Sequence, residues 1–285
     1  MQPLLGAHMS VAGGFPRAVE RGLRVGAQTI QIFTKSNNQW EAPPIPAQSA
    51  REFQKAVKES RIGPVFSHTA YLINVGSPER ETHRKSKQAL KVEVERATVL
   101  GLAFVVLHPG SRKETPEEAC LERIAETVAW VLDRTNGSSV KVLYEIAAGQ
   151  GSSVGHRFEH LGALLKLTGH PARTGICLDT CHLLAAGYDF RTPAAYEKTF
   201  AEFDRTVGVD RVQAVHLNDS KKELGSRVDR HEHIGQGQIG LEGFRCLLND
   251  PRFRRVPMVL ETPKDEETLA EDVTNLKVLR GLVKR

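Results

Sequence analysis

Short apolar segments rich in β-branched residues alternate with longer amphipathic segments along the whole chain. Eight of the short segments predict strands, at residues 4–7, 29–33, 64–67, 104–107, 140–144, 174–178, 212–215 and 256–260. This alternation is typical of repeated βα units, in which helices connect parallel strands. The pattern therefore predicts an α/β protein with a single (β/α)8 (TIM) barrel over residues 1–285, and an open doubly wound sheet is the competing architecture. A dinucleotide-binding sheet has little support, because no G-x-G-x-x-G follows the first strand.

Two of the predicted helices carry start signals. Ser77-Pro78 and Thr115-Pro116 each place a hydroxyl before a proline at the first helical position, and Glu118 completes a capping box with Thr115. The second of these helices has apolar residues spaced for one buried face, at Leu121, Ile124, Ala125, Val128 and Leu132. A last helix over 266–282 is expected to close the outer shell with Leu269, Val273, Leu276 and Leu279.

Composition favours a large soluble domain. A chain of 285 residues suits one α/β barrel, which needs about 250 residues. No apolar run approaches the roughly 18 residues that span a bilayer, and the N-terminus lacks a secretion signal, so we expect a cytoplasmic protein without membrane contact. The four cysteines contain no C-x-x-C pair and are predicted to be free thiols. A net charge of +5 raises the expectation of a polyanionic partner.

Six consecutive predicted strands end in side chains that bind metals. They are His68, His108, Glu145, Asp179, His216 and Glu261, and His182 follows three residues after Asp179. In a parallel barrel these ends lie on one rim, where barrel enzymes keep their active sites. A single histidine after a strand is ordinarily a hydrogen-bonded structural residue. Six such positions in a row, after strands that are almost wholly apolar, predict a metal centre at the C-terminal rim.

The stretch 215–237 adds further metal-binding side chains in a polar, basic loop after the seventh predicted strand. With Asp229 and His231 the set contains five histidines, two aspartates and two glutamates. One zinc ion takes about four ligands, so nine suit two or three ions if a glutamate bridges. Such centres hydrolyse phosphate esters or peptides. His8 and His233 are expected near the rim without binding metal, whereas a surface location is predicted for His83, His156, His160 and His170.

The chain resembles the endonuclease IV family of apurinic/apyrimidinic (AP) endonucleases, essentially from end to end. Five segments carry most of the resemblance: HTAYLINVGSP (68–78), LHPGS (107–111), CLDTCHLLAAGYD (177–189), VHLNDSKKELGSRVDRHEHIG (215–235) and LETP (260–263). The resemblance implies three Zn²⁺ ions per chain, with partial Mn²⁺ or Fe²⁺ left open. It assigns His68 and His108 to the first ion and makes Glu145 the bridge between the first ion and the second. Asp179, His216 and Glu261 complete the second ion, and the third is held by His182, Asp229 and His231.

The resemblance also implies a reaction, that of a zinc-dependent deoxyribonuclease IV. The phosphodiester 5′ to an abasic site in duplex DNA is hydrolysed, which leaves a 3′-hydroxyl and a 5′-deoxyribose phosphate. Removal of blocking groups from 3′ ends is expected as well. Zinc lowers the pKa of water toward 7 and so generates the hydroxide nucleophile, and Glu145 and Glu261 are the expected catalytic carboxylates that orient it or accept its proton. The enzyme is expected to act as a monomer.

Recognition of DNA is expected from three segments. Tyr71 and Leu72 match residues that wedge into the base stack, and the segment 35–40, KSNNQW, matches a DNA-facing loop that contains Lys35. Asn38 stands where many family members carry an arginine. The basic segment 221–227 is expected beside the DNA backbone.

A further departure from the family pattern follows Glu145, where Ile146 and Ala147 occupy positions that are commonly polar. We expect the metal ligand to be kept and one supporting hydrogen bond to be missing or replaced.

Two other functions are compatible with parts of the sequence. A xylose-isomerase-like sugar isomerase or epimerase would use Glu145, Asp179, His216 and Glu261. It has no use for the five additional ligands, nor does a neutral sugar call for a basic chain. A DNA-binding module with structural zinc predicts closed, cysteine-rich sites, which the carboxylate-rich set disfavours.

Overall fold

A computed structural model describes residues 3–284, whose eight long strands are all parallel and form a closed barrel. The strands are β1 (Leu4–His8), β2 (Thr29–Phe33), β3 (Val65–His68), β4 (Phe104–Leu107), β5 (Lys141–Glu145), β6 (Thr174–Asp179), β7 (Val212–His216) and β8 (Pro257–Leu260). Each strand pairs with the next along the chain, and β8 closes the ring by pairing with β1. The predicted barrel is confirmed and the open sheet is wrong, because β1 has a hydrogen-bonded neighbour on both sides.

Helices surround the barrel and connect its strands. They are α1 (Phe15–Arg24), α2 (Ala47–Ser60), α3 (Arg80–Leu100), α4 (Glu117–Arg134), α5 (Phe158–Thr168), α6 (Thr180–Ala186), α7 (Pro193–Thr206), α8 (Gly240–Asn249) and α9 (Ala270–Leu282), with 3-10 turns at Val209–Arg211 and Pro251–Phe253. Two antiparallel ribbons lie in the loops, one joining Gly110–Ser111 to Ser153–Val154 and the other joining Asp219–Ser220 to His231–Glu232. Among the described residues, 3–284, no helix is both long and apolar enough to cross a membrane.

The inside of the barrel is filled by a small apolar cluster of its own. Its members are Phe66, Val106, Leu143, Cys177, Ala214 and Val259, one from each of the strands β3 to β8. Successive side chains of a strand point to opposite faces, so a residue two positions further along points to the same side. The side chain two positions after each of these six therefore lies over the apolar cluster, at the C-terminal end of the barrel.

The helix start signals in the sequence are displaced from the helix starts in the structure. Thr115 does not cap α4, because its hydroxyl donates to the carbonyl of Arg112 at 2.7 Å, and α4 begins after Pro116 without a side-chain cap. Ser77 accepts a hydrogen bond from the backbone N–H of Glu79, and α3 begins only at Arg80. In both segments the hydroxyl supports the turn before the helix.

Predictions of buried helical faces are more accurate than those of helix ends. The face predicted for α4 is buried at all of its five positions, Leu121, Ile124, Ala125, Val128 and Leu132. On α9, Leu276 and Leu279 are buried, but Val273 is 44% exposed and the helix starts at Ala270 instead of 266. Leu269 is buried with a left-handed backbone, φ 56°, and so belongs to the turn that precedes the helix.

Candidate metal centre

The metal-binding side chains predicted from strands β3 to β8 meet above the apolar cluster in the barrel. Each of them follows an interior residue by two positions, which directs it toward the barrel axis. Four are the last residues of their strands and two come directly after, and the six are His68, His108, Glu145, Asp179, His216 and Glu261. Parallel strands bring all of these ends to one rim, as the sequence predicted.

Glu145 lies at the centre of this group and faces histidines with both carboxylate oxygens. Its Oε2 is 3.0 Å from Nε2 of His68 and 3.0 Å from Nε2 of His108. Its Oε1 is 2.9 Å from Nδ1 of His216. A carboxylate that presents one oxygen to each of two neighbouring ligand sets is suited to bridge two cations.

A second set of ligand atoms surrounds His216 on the other side of Glu145. Nδ1 of His216 is 3.1 Å from Oε2 of Glu261 and 3.8 Å from Oδ2 of Asp179. One ligand atom from each of these three residues and from Glu145 lies within 4.8 Å of the others.

A third set joins the short helix α6 to the loop after β7. Oδ2 of Asp229 is 3.2 Å from Nε2 of His182, and Oδ1 of Asp229 is 3.3 Å from Nε2 of His231. The loop is held in place by α6, because the N–H groups of Gly225 and Arg227 each donate at 2.9 Å to carbonyls in the last turn of that helix. The ribbon at His231–Glu232 then fixes His231.

The hydrogen bonds of the histidine rings fit a set of metal ligands. Four rings have the nitrogen that faces away from the centre bonded to an oxygen: His68 Nδ1 to Thr69 O at 2.8 Å, His182 Nδ1 to Ile146 O at 2.9 Å, His231 Nδ1 to Glu261 O at 3.2 Å, and His216 Nε2 to Gln31 Oε1 at 2.8 Å. Donation to these oxygens leaves the lone pair of the other nitrogen directed at the centre. Among the described residues, Nε2 of His182 and of His231 are buried without a hydrogen-bond partner, which a divalent cation would satisfy.

Electrostatics in the centre favour added positive charge. Burial disfavours the ionised form of Glu145, yet the rings of His108 and His216 outweigh it and hold the pKa of this carboxyl well below its usual value. Burial also opposes protonation of His182, but Asp179 and Asp229 raise its pKa well above the ordinary value. The carboxylates thus attract a positive charge strongly enough to overcome desolvation. Because ligands bind metal only when deprotonated, cations and protons compete for these groups.

His8 and His233 belong to none of the ligand sets, and His160 corrects a prediction. His8 lies at the rim as expected, with Nδ1 3.0 Å from Nε2 of Gln31. The amide of Asn275 donates to Nδ1 of His233 at 3.1 Å. The prediction that His160 is a surface residue is wrong, because its ring is buried and Nε2 lies 2.9 Å from Oε1 of Glu117.

The residues predicted to contact DNA have different exposures. Tyr71 is 66% exposed, and Leu72 beside it is half-buried. Asn38 is exposed, as are Lys221, Lys222 and Arg227 of the basic loop. The prediction for Lys35 is wrong, because its side chain is buried, lies 3.5 Å from Glu93 and donates to the carbonyl of Gln39 at 2.6 Å. Its charge is therefore not available to a DNA phosphate.

Three supporting residues were not predicted. Asn218 donates to Oδ2 of Asp179 at 2.7 Å and accepts from the N–H of Glu261 at 2.8 Å. Gln150 accepts from the N–H of Asp229 at 3.2 Å. Gln31 bonds both His216 and Glu261. The sequence signal for Gln31 is its position, since it is an amide between the apolar residues Ile30 and Ile32 of a strand.

Comparison with known proteins identifies the family of the chain. Residues 19–280 match the family described as a xylose isomerase-like TIM barrel. A protein of Chloroflexus aurantiacus named "Probable endonuclease 4" is 49% identical over 281 residues, which cover 99% of this chain and 98% of the relative. A protein of the same name from Geobacter sulfurreducens is 46% identical and covers 100% of this chain and 96% of its own. The chain belongs to the endonuclease IV family.

Solved structures agree with this assignment. The crystal structure of endonuclease IV from Thermus thermophilus has a TM-score of 0.86 and 37% identity, and the match covers 98% of both chains. A D-tagatose 3-epimerase-like protein has a TM-score of 0.72 at 16% identity, which is a likeness of fold alone. The predicted resemblance is confirmed, as is the prediction of a nuclease of DNA repair, and the isomerase is the less supported alternative.

Ile146, at one of the positions expected to depart from the family pattern, does not leave His182 unsupported. The backbone carbonyl of Ile146 accepts the hydrogen bond from Nδ1 of His182, while the Ile146 side chain is fully buried in the apolar layer between barrel and helices. This bond uses the backbone of Ile146, so it does not depend on the side chain at that position, and the expectation that another supporting bond is missing or replaced stays a prediction.

Replacing Ile146 with asparagine is expected to destabilise the protein. The substitution removes apolar packing and buries an amide, and large core truncations cost about 2–5 kcal/mol. Thermal unfolding should therefore occur at a clearly lower temperature than in the wild type, while the number of bound metal ions is unchanged. An Ile146→Val control should lose about 1 kcal/mol. An asparagine variant as stable as the wild type would contradict this account.

Proposed function

We propose that this member of the endonuclease IV family hydrolyses the phosphodiester 5′ to abasic sites in duplex DNA and leaves 3′-hydroxyl and 5′-deoxyribose phosphate ends. The observation that carries the proposal is the convergence of nine metal-competent side chains around Glu145 at one rim of the barrel. A sugar isomerase would need the set around His216 but not the sets around His108 and Asp229.

Three Zn²⁺ ions fit the three sets of ligands. The first would be held by His68, His108 and Glu145, the second by Glu145, Asp179, His216 and Glu261, and the third by His182, Asp229 and His231. When bound, such ions act as Lewis acids toward the phosphate and make water a nucleophile at neutral pH. Imidazole and carboxylate donors also accept Mn²⁺ or Fe²⁺, so partial occupancy by these metals belongs to the proposal.

The two glutamates have different roles in the proposed reaction. Glu145 directs both oxygens at histidines and is only 1% exposed, so it holds ligand geometry and orients the attacking water. The side chain of Glu261 is 19% exposed, and its Oε1 is held by Gln31. Oε2 of Glu261 therefore faces the centre, where it would hold the second ion, and this partly exposed carboxylate would also orient the attacking water or accept its proton.

A cavity of about 260 Å³ beside the ligands offers room for the abasic sugar. It is lined by His68 and His108 on the metal side and by Tyr71, Ala147 and Val154 among others. An abasic nucleotide has no base to unstack, so turning it out of the duplex costs less than for a normal nucleotide. Tyr71 lines this cavity and Leu72 follows it in the chain, so the two side chains would fill the gap left in the base stack.

Replacing Tyr71 with alanine is expected to weaken binding of abasic DNA. The ring is exposed, and its neighbours include Phe33, with ring centroids 5.7 Å apart. Contacts of bases with aromatic side chains contribute about 1–3 kcal/mol, so KM should rise about tenfold or more with little change in kcat. Tyr71→Phe keeps the ring and should behave as the wild type. A normal KM for the alanine variant would remove Tyr71 from the DNA interface.

The proposed function is tested by incision of a duplex that carries one abasic site. The metal-loaded protein should cut it, the protein stripped of metal should not, and readdition of zinc should recover the activity. Glu261→Gln should cut far more slowly than the wild type. Elemental analysis should find about three zinc ions per chain. Turnover of a ketose or aldose with one metal per chain, and no incision of DNA, would support the isomerase instead.

Three further expectations from the sequence stay predictions. Removal of blocking groups from 3′ ends uses the same bond cleavage with a different leaving group, and the assay above extends to it with a 3′-blocked nick. A cytoplasmic location and a monomeric state are open to fractionation and to light scattering.

A further inference from the structure

We propose that Gln31 is a positioning residue of the metal centre, whose amide fixes the tautomer of His216 and the orientation of Glu261 so that both direct free donor atoms at one ion. The inference rests on the proposed function, because it concerns the ion that these two residues would hold.

Gln31 is a fully buried amide inside the barrel. It lies in β2, between the apolar residues Ile30 and Ile32, and has no exposed surface. A buried amide without hydrogen bonds costs several kcal/mol, so its contacts account for its presence there. Oε1 of Gln31 lies 2.8 Å from Nε2 of His216, and Nε2 of Gln31 lies 2.5 Å from Oε1 of Glu261.

The chemistry of these partners sets which way the amide faces. A carboxylate only accepts hydrogen bonds, so the Gln31 atom next to Glu261 must be the NH₂ group. The atom facing His216 is then the carbonyl oxygen, which requires a hydrogen on Nε2 of that ring. Nδ1 of His216 is left as the nitrogen that faces Glu145 and Glu261.

The same amide gives the two carboxylate oxygens of Glu261 different surroundings. Oε1 is occupied by Gln31, while Oε2 lies 3.1 Å from Nδ1 of His216 on the metal side. Gln31 thus orients one ligand from β7 and one carboxylate from the end of β8, although it belongs to β2. Nε2 of the same amide also lies 3.0 Å from Nδ1 of His8, and this contact holds Gln31 itself in place.

This support differs from that of the other histidines in the centre. His68, His182 and His231 direct their second nitrogen at backbone carbonyls, which no substitution removes. The second nitrogen of His216 is instead bonded to the side chain of Gln31. A substitution of Gln31 therefore removes the hydrogen bond that supports His216 without changing His216 itself.

Two substitutions test the proposal. Gln31→Met keeps the length and apolar packing of the side chain but removes every hydrogen bond. Gln31→Glu keeps an acceptor for His216 and puts an oxygen in place of the donor to Glu261. The matched control is Gln213→Met on β7, whose amide bonds Lys141 and the carbonyl of Asp210, outside the ligand sets. Zinc affinity is measured by competition with a chelator, and incision of abasic DNA gives kcat and KM.

Both Gln31 variants should bind one of their zinc ions about 10- to 100-fold more weakly, as expected on loss of a supporting partner. Their kcat should fall while KM for DNA is unchanged, and excess zinc should recover part of the kcat of Gln31→Met. Wild-type zinc affinity and kcat in both variants, or a raised KM with normal kcat, would overturn the role of Gln31. If the methionine variant does not fold, Gln31→Glu decides by the same measurements. A wild-type protein that neither binds zinc nor cuts abasic DNA would overturn the proposed function itself.

Discussion

Replacing Glu145 with glutamine is expected to slow incision of abasic DNA by roughly a hundredfold to a thousandfold, the range seen when one preorganised electrostatic group is lost. The carboxylate faces His68 and His108 with one oxygen and His216 with the other. An amide carries no charge and offers only one acceptor oxygen, so it cannot serve both sets of ligands. Metal affinity should fall by more than the roughly 100-fold typical of a supporting partner.

The readouts for Glu145→Gln are metal content after dialysis and the single-turnover rate of incision. Glu118→Gln is the matched control, because it makes the same chemical change at an exposed position of α4. The side chain of Glu145 is 1% exposed, so the folded state of the variant is checked by circular dichroism. A folded variant that keeps all of its zinc and cuts at the wild-type rate would show that Glu145 does not bridge the centre.

Replacing Glu93 with leucine is expected to lower the free energy of unfolding by about 3–5 kcal/mol, because it leaves a buried charge without its partner. The side chains of Lys35 and Glu93 are 2% and 1% exposed and lie 3.5 Å apart. The hydroxyl of Thr34 also donates to Glu93, at 2.6 Å. The double variant Lys35→Met/Glu93→Leu should recover most of the loss, since two apolar side chains of similar size replace the pair.

Chemical denaturation of the two single variants and the double variant measures this coupling. The ion pair is part of a clamp on the segment after β2, in which Arg96 also donates to the carbonyl of Pro43 at 2.7 Å. Proteolysis within 34–43 should therefore be faster in Glu93→Leu than in the wild type. Additive effects of the two single substitutions would contradict a coupled pair.

The barrel was predictable because its signal is local. A parallel strand that is buried on both faces needs a run of apolar residues, and each of the eight runs is visible in the sequence. Helix starts were less predictable, because a hydroxyl before a proline also stabilises a turn that precedes the helix, as Thr115 does. Val273 has the spacing of a core residue but is exposed. Whether a helical residue is buried depends on which other element packs against it, and the sequence of the helix does not give that information.

The candidate site was predictable to the extent that strand ends determine it. Parallel strands carry His68 and Glu261 to the same rim, although they are far apart in the sequence. Lys35 illustrates what strand ends do not reveal. A lysine in a polar loop is ordinarily exposed, and its burial depends on Glu93, which lies on a helix more than fifty residues later. The sequence alone does not show which residues at that separation come into contact, because the contact forms only when the chain folds.

The ligand set extends around most of the barrel, from β3 to the residue after β8, and β8 is held between β7 and β1. An incompletely synthesised chain that lacks β8 also lacks Glu261 and leaves the edges of β1 and β7 unpaired. Such a chain would lack one residue of the second ligand set. Its unpaired strand edges would also make it prone to aggregate. Under the proposed ligand assignment, we therefore expect the second ion to be acquired only after the last strand has closed the barrel.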